Sequence, residues 1–339
     1  MKKEVPSTMK KILVLGGTGA FGSYLIDELL TRDYKVDVVS LDSRASYHDN
    51  LAFIQADAKD LSFMEQLLKN NYDSIVDFLI YFKTEFEQRF QMFLEHTKHY
   101  IFLSTYRIYA DSKTPITENS ARLLDVMKEP SYLQNMEREY SLYKACEEDM
   151  LRNSSFRNWT ILRPSISYSK RRFQLVTLEA NTLISRAREG KAVVLPEEAM
   201  DKQTTLTWAG DSAKMMAALI LNEKAYGETY TIATSEHHTW KEVASMYQEL
   251  IGLKYVTVDA ETYMRVWAGS QFARYQLFYD RLFNRVIDNS KILAISGLKA
   301  NELMPLYNGL KKELSALPKD ITWDNLGWSQ RMDEFLMNN

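Results

Sequence analysis

Residues 11–22 read KILVLGGTGAFG, and the spacing of their glycines decides the fold. An apolar run ends at Leu15, glycines stand at 16, 17, 19 and 22, and apolar residues then recur at helical spacing up to Leu30. The chain has only 12 glycines, and four of them crowd into residues 16–22. Such crowding suits a tight turn from strand to helix whose backbone can approach a diphosphate. The helix start there offers free N–H groups and the positive end of the helix dipole. A plain strand-to-helix turn is the bland alternative. The context favours the dinucleotide reading, because the turn follows an apolar strand, opens a helix and begins a βαβ series.

Outward from that turn the chain alternates. Strands are predicted over 11–15, 36–41, 52–55, 74–79, 100–104 and 159–163, and helices over 21–30, 61–69, 85–97 and 131–152. This is the pattern of a parallel sheet covered on both faces. An irregular insert at 111–130 is long enough to be expected as a binding or lid segment. Beyond Pro164, helices are predicted over 173–188, 211–221 and 240–251, with short strands at 204–207 and 229–232. The expected fold is α/β, a doubly wound parallel (Rossmann) sheet with a smaller, mainly helical C-terminal substrate lobe. The dinucleotide-binding domain is expected over 8–168, with 204–234 contributing, and the lobe over 169–339, interleaved with it.

Composition bounds the function. A net charge of −3 argues against a nucleic-acid binder held by phosphate contacts, and Lys170-Arg171-Arg172 is too short a cluster to outweigh it. A single cysteine, Cys146, excludes an intramolecular disulfide framework and a cysteine-ligated zinc site, and its acidic neighbours do not favour a thiolate. With no signal-peptide pattern and no run of eighteen apolar residues, a cytoplasmic chain with no membrane partner is expected. His237-His238 suggests no third ligand and reads as surface loop, so no metal is expected.

Residues 140–144, YSLYK, place a tyrosine and a lysine on one helical face. Tyr109/Lys113 and Tyr307/Lys311 share the spacing. Only Tyr140/Lys144 sits between the strand ending in Ser104-Thr105 and the strand WTILRP, on a predicted helix. A phenol that ionises only at about pH 10 is a poor base alone, and a lysine one turn away favours its anion. Tyr140 could then take a hydroxyl proton as hydride leaves the same carbon. At the end of the second strand, Ser40 with Arg44 suits a 2′-phosphate, whereas Asp42 could serve ribose hydroxyls; the reading favours NADP over NAD.

These features together resemble the extended short-chain dehydrogenase/reductase superfamily, and within it the NAD-dependent epimerase/dehydratase family. The segments FIQADAKD, VDFLIY, FLSTYRIYA, TILRPSISYS, LTWAGDSAKMMAALI and DNSK match its motifs in order over roughly residues 10 to 295. The resemblance implies that Thr105 acts with Tyr140 and Lys144 in catalysis, and that Lys144 also holds the nicotinamide ribose. It implies a cofactor site made of Gly16, Thr18, Gly19, Ala20, Phe21, Gly22, Ser40, Arg44, Asp57, Ala58, Leu79, Ile80, Tyr81, Lys144, Pro164 and Ser165. Ser104 is the weaker substitute for Thr105. The sequence departs from the family at Thr204, where an arginine often grips the nucleotide diphosphate of a sugar. It also departs in a missing glycine nearby and in the longer insert. The divergent members it then resembles include relatives of chloroplast stem-loop RNA-binding proteins.

The expected protein is therefore an NAD(P)-dependent epimerase/dehydratase-type enzyme acting on a sugar or nucleotide-sugar-like alcohol, with a homodimer implied by the family. An NADP-dependent carbonyl reductase, or a non-catalytic cofactor-sensing or RNA-binding protein on the same scaffold, stays open. Arg281 and Arg285, at helical spacing, read either as a phosphate contact or as a solvated helix face. The aromatic residues of 263–283 read as core or dimer surface.

Overall fold

The computed structural model describes residues 9–170, 172–267, 269–323 and 327–338. Residues 1–8 and Arg171 of the basic cluster lie outside the described residues. Among the described residues, seven strands form one parallel sheet. They are β1 (Lys11–Leu15), β2 (Lys35–Ser40), β3 (Leu51–Gln55), β4 (Ser74–Asp77), β5 (His99–Leu103), β6 (Trp159–Pro164) and β7 (Glu228–Ile232). Their order is β3-β2-β1-β4-β5-β6-β7, so the winding reverses between β1 and β4. A crevice opens there, at the carboxyl ends of the strands.

Strand alternation explains why β1 is apolar throughout. Ile12 and Val14 pack with Leu25, Ile26 and Leu29 of α1 (Gly22–Leu30) and with Ala213 and Met216. Leu13 and Leu15 project to the opposite face, against Met64, Phe86, Phe93 and Leu151. Leu151 belongs to α2 (Tyr140–Asn153), whereas Ala213 and Met216 belong to α3 (Ala209–Leu219). Burying each such aliphatic side chain contributes about 1.5–3 kcal/mol. A third core, centred on Tyr168, Leu195, Trp240, Tyr247, Tyr263 and Leu310, gathers the later helices.

Three predicted elements differ. The helix expected over 131–152 is broken, with a short turn at Pro130–Leu133 and α2 beginning only at Tyr140. Glu139 is the cause: its backbone is extended, and its buried carboxylate accepts from the Ser141 hydroxyl at 2.9 Å and from Arg107 at 3.3 Å. The helix expected over 173–188 begins at Ala180, because residues 174–179 make a small hairpin turning at Val176 (φ +54°). The helix expected over 85–97 is two pieces, Lys83–Glu87 and Phe90–Glu95, interrupted by the non-helical Arg89.

Candidate active site

The glycine turn is shaped by steric demand. Gly16 adopts φ +71°, and a Cβ there would lie 3.0 Å from Leu79 Cδ2. A Cβ on Gly22 would fall 2.0 Å from the Gly17 carbonyl oxygen, so α1 starts directly against the turn. Gly19 is different: a Cβ would meet nothing closer than the Gly16 oxygen at 3.5 Å. Its open face, beside the start of α1, is space that a diphosphate could fill. On the outer side of the turn, the Thr18 hydroxyl donates to Ser40 Oγ at 3.3 Å and Arg44 Nη2 donates to the Thr18 carbonyl at 3.4 Å. Arg44 also pairs with Asp42 at 3.6 Å, so the two residues that argue for different cofactors are already joined.

A cavity of about 450 Å³ extends from this turn toward the ends of β5 and β6. Of the sequence candidates, Gly16, Gly19, Ala20, Phe21, Gly22, Ile80, Thr105, Tyr140, Pro164 and Ser165 line it together. Thr18, Ser40, Arg44, Asp57, Ala58, Leu79, Tyr81 and Lys144 do not. Asp57 is exposed beyond β3, where its carboxylate accepts from the Lys59 backbone at 2.8 Å, and Ala58 beside it is buried. Tyr81 is fully buried, with its ring against Lys59 and Arg89. The insert at 111–130 contributes no lining residue. Ile116 is buried, and the insert is tied down by the Ile116 N–H to Val286 O at 2.8 Å and by Arg122 to Asp149 at 2.7 Å. The expected lid is therefore a docked loop.

At the cavity's far wall, the ends of β5 and α2 sort the hydroxyls. Ser104 Oγ donates to Glu148 at 2.6 Å, and Glu148 is held by Arg163. Thr105 Oγ1 accepts from the Arg107 N–H at 3.2 Å, which leaves its own proton free to point into the cavity. Tyr140, the first residue of α2, faces the same space, half-buried, with its ring edge-on to Tyr143.

Lys144 lies one turn below Tyr140 but is only 1% exposed. Its ammonium sits 2.9 Å from Glu147 Oε2, off-line for a hydrogen bond, and 4.5 Å from the centre of the Phe102 ring. Burial pushes the Glu147 carboxyl up from 4.5 to about 7 despite Lys144. Burial likewise raises the Asp77 carboxyl, against the opposing pull of the Leu79 N–H, the Tyr100 hydroxyl and Lys144. The lysine thus belongs to a buried acidic group beneath the site.

Several residues that matter here are not among the sequence candidates. Arg107 lines the cavity with its guanidinium 5.4 Å from the centre of the Tyr140 ring. It pairs with Glu139 at 3.3 Å and Asp280 at 3.6 Å. Asp280 is fully buried and also pairs with Arg281 and, at 2.9 Å, with Arg285. Burial pushes the Asp280 carboxyl up, but the Arg281, Arg285 and Arg107 charges outweigh it and hold it below the ordinary range. Arg281 and Arg285 are therefore no solvated face. Both are buried, and Arg281 lines the cavity. An arginine two residues past Thr105, inside the run YRIY, and a glutamate one turn past Lys144 were the available signals.

Neither of the other spacings lines the cavity. Tyr109 is buried with its hydroxyl 2.7 Å from Thr231 Oγ1, and Tyr307 bonds Glu249 at the surface. Burial raises the Cys146 thiol, which keeps it protonated. His238 pairs with Glu236 at 2.8 Å, and no group of three metal-ligating side chains exists among the described residues. No helix among the described residues is long and apolar enough to cross a membrane.

The reversed seven-stranded sheet, the glycine turn and the threonine and tyrosine facing one cavity define an extended short-chain dehydrogenase/reductase. The model of the NAD dependent epimerase/dehydratase family matches residues 12–233, and the chain belongs to that family. A UDP-N-acetyl-alpha-D-glucosaminuronate decarboxylase from Bacillus cytotoxicus is 23% identical over 276 residues, covering 71% of this chain and 80% of that one. A UDP-glucose 4-epimerase from Streptococcus mutans is 40% identical over only 76 residues, 21% of this chain and 22% of the enzyme's length. Among solved structures, the UDP-glucuronic acid 4-epimerase from Bacillus cereus in complex with UDP-glucuronic acid and NAD is similar with a TM-score of 0.66 at 18% identity, covering 90% of this chain and 98% of that one. The Thermus thermophilus UDP-glucose 4-epimerase complex with NAD gives a TM-score of 0.64 at 18% identity, over 91% and 100% of the two chains.

Proposed function

We propose that the protein is an NAD(P)-dependent enzyme of the epimerase/dehydratase type acting on a nucleotide-sugar-like alcohol. The observation that carries this reading is that the open face of Gly19 and the Thr105/Tyr140 pair line one cavity at the sheet's switch point. Gly16, Gly19 and the start of α1 would hold the diphosphate. Ser40 with Arg44, or Asp42, would meet the adenosine ribose, the first pair suiting a 2′-phosphate and the aspartate free hydroxyls. The nicotinamide, when bound, supplies hydride acceptance and return. Thr105 donates a hydrogen bond to the substrate oxygen and fixes its direction. As the carbon loses hydride and becomes a carbonyl, Tyr140 Oη, in its phenolate form, takes the hydroxyl proton and becomes the phenol, and in the reverse step it gives that proton back. Lys144 holds its positive charge one turn below Tyr140; any direct hold on the ribose requires its pair with Glu147 to open.

The relatives act on UDP-sugars by their names, which supports a sugar nucleotide as substrate and a small molecule as partner. NAD in the neighbouring structures supports a nicotinamide dinucleotide. Gly19→Val tests the cofactor half. Because the added side chain starts in open space, the variant is expected to fold with a near-normal melting temperature and to lose the stabilisation that NAD or NADP gives the native chain by mass action. Undiminished stabilisation by both cofactors would overturn the assignment.

A further inference from the structure

Around the Tyr140 wall, three buried guanidinium groups (Arg107, Arg281 and Arg285) meet two buried carboxylates, Glu139 and Asp280. One positive charge is left over, and a buried charge without a partner costs several kcal/mol. The hydrogen bonds show where the excess lies. Arg281 is satisfied at every nitrogen, by Val176 O, Tyr106 Oη, Asp280 and Gln174 Oε1. Arg285 keeps one buried nitrogen, Nη2, without a hydrogen bond, but it does not line the cavity and is turned toward Asp280 and the carbonyls of Tyr109 and Ala110. Arg107 differs from both in lining the cavity while incompletely bonded: Nη2 bonds Glu139, whereas Nε, 3.6 Å from Asp280, and Nη1 make no hydrogen bond. Arg172 also reaches the cavity, but on the opposite side, 5.9 Å from the Phe21 ring of the glycine turn. Among the described residues, the one carboxylate on the lining is Glu179, which is exposed and bound by the Gln174 amide.

The excess charge therefore lies beside the groups that handle the reacting carbon. Arg107 is two residues from Thr105, bonds its hydroxyl through the backbone, and stacks on Tyr140. A guanidinium is the side chain whose fork matches a carboxylate with two parallel bonds. We propose that the substrate is an acidic sugar, carrying a carboxylate next to the reacting carbon, and that Arg107 holds that carboxylate. This rests on the cavity being the substrate site of the function proposed above. A diphosphate alone, at the far end of a sugar nucleotide, would leave the reacting end without its anion.

The test is a calorimetric titration of the full chain, first with NAD or NADP and then, with cofactor saturating, with UDP-glucuronic acid and with UDP-glucose. The native protein is expected to bind the acid at least about tenfold more tightly, the effect of one charge-assisted bond. Arg107→Lys, which keeps the charge without the fork, is expected to narrow the ratio, and Arg107→Met to abolish it with cofactor affinity unchanged. Equal affinity in the native protein, tighter binding of UDP-glucose, or a preference that survives Arg107→Met would overturn the proposal. Binding of neither sugar would overturn it as well; cofactor binding in the first stage then separates that outcome from failure of the dinucleotide reading. The native comparison needs no variant, so a misfolded Arg107→Met leaves the decision intact.

Discussion

Across the cavity, the wall made by Gly16, Gly19 and Gly22 presents backbone, whereas the wall made by Thr105, Arg107 and Tyr140 presents side chains fixed by buried ion pairs. The first wall needs only absent Cβ atoms and the end of a helix. The second needs charges brought from three parts of the chain, with Arg107 and Asp280 separated by more than half its length. Backbone surfaces of this kind bind a shared cofactor whatever the substrate. Charged surfaces of the second kind can be retuned residue by residue.

The comparison breaks most sharply at Asp280. Asp280→Asn keeps the shape but leaves Arg107, Arg281 and Arg285 with Glu139 alone, and is expected to cost about 3–5 kcal/mol in denaturant unfolding. A loss within about 0.5 kcal/mol, the scale of a surface change, would show that the ion-pair wall is not needed for the fold.

A smaller, pH-dependent effect is expected at Glu147. Below pH 4.5 both folded and unfolded chains hold its proton, whereas between 4.5 and about 7 only the folded chain does. Stability therefore falls as the pH rises through that window, by up to roughly 3 kcal/mol in all, and levels off above it. Glu147→Gln is expected to remove this part of the slope. Melting curves of the two proteins from pH 4.5 to 8 check it, and parallel curves would contradict a Glu147 carboxyl raised by burial beside Lys144.

The unequal legibility of the two walls has the same origin. The glycine spacing, the alternation of apolar runs and the order of motifs are local, so the parallel sheet, its turn and the choice of Thr105 and Tyr140 as candidates could be read from the chain. Lys144 was legible as a spacing but not as a buried partner of Glu147, because helix periodicity does not say which face a neighbouring layer covers. The start of α2 at Tyr140 was hidden for a related reason: the break depends on Arg107 drawing in Glu139, a contact 32 residues apart. Arg281 and Arg285 illustrate the limit of helical spacing, which marks a shared face without telling solvent from a buried carboxylate.

The central claim is that the two walls divide the work, cofactor to the backbone and proton to the phenol. Tyr140→Phe tests it most directly, with cofactor affinity and turnover of a UDP-sugar measured on the same preparation. The account predicts unchanged NAD or NADP affinity and turnover lower by about 10²-fold or more. Turnover equal to that of the native protein, with cofactor bound as before, would contradict it.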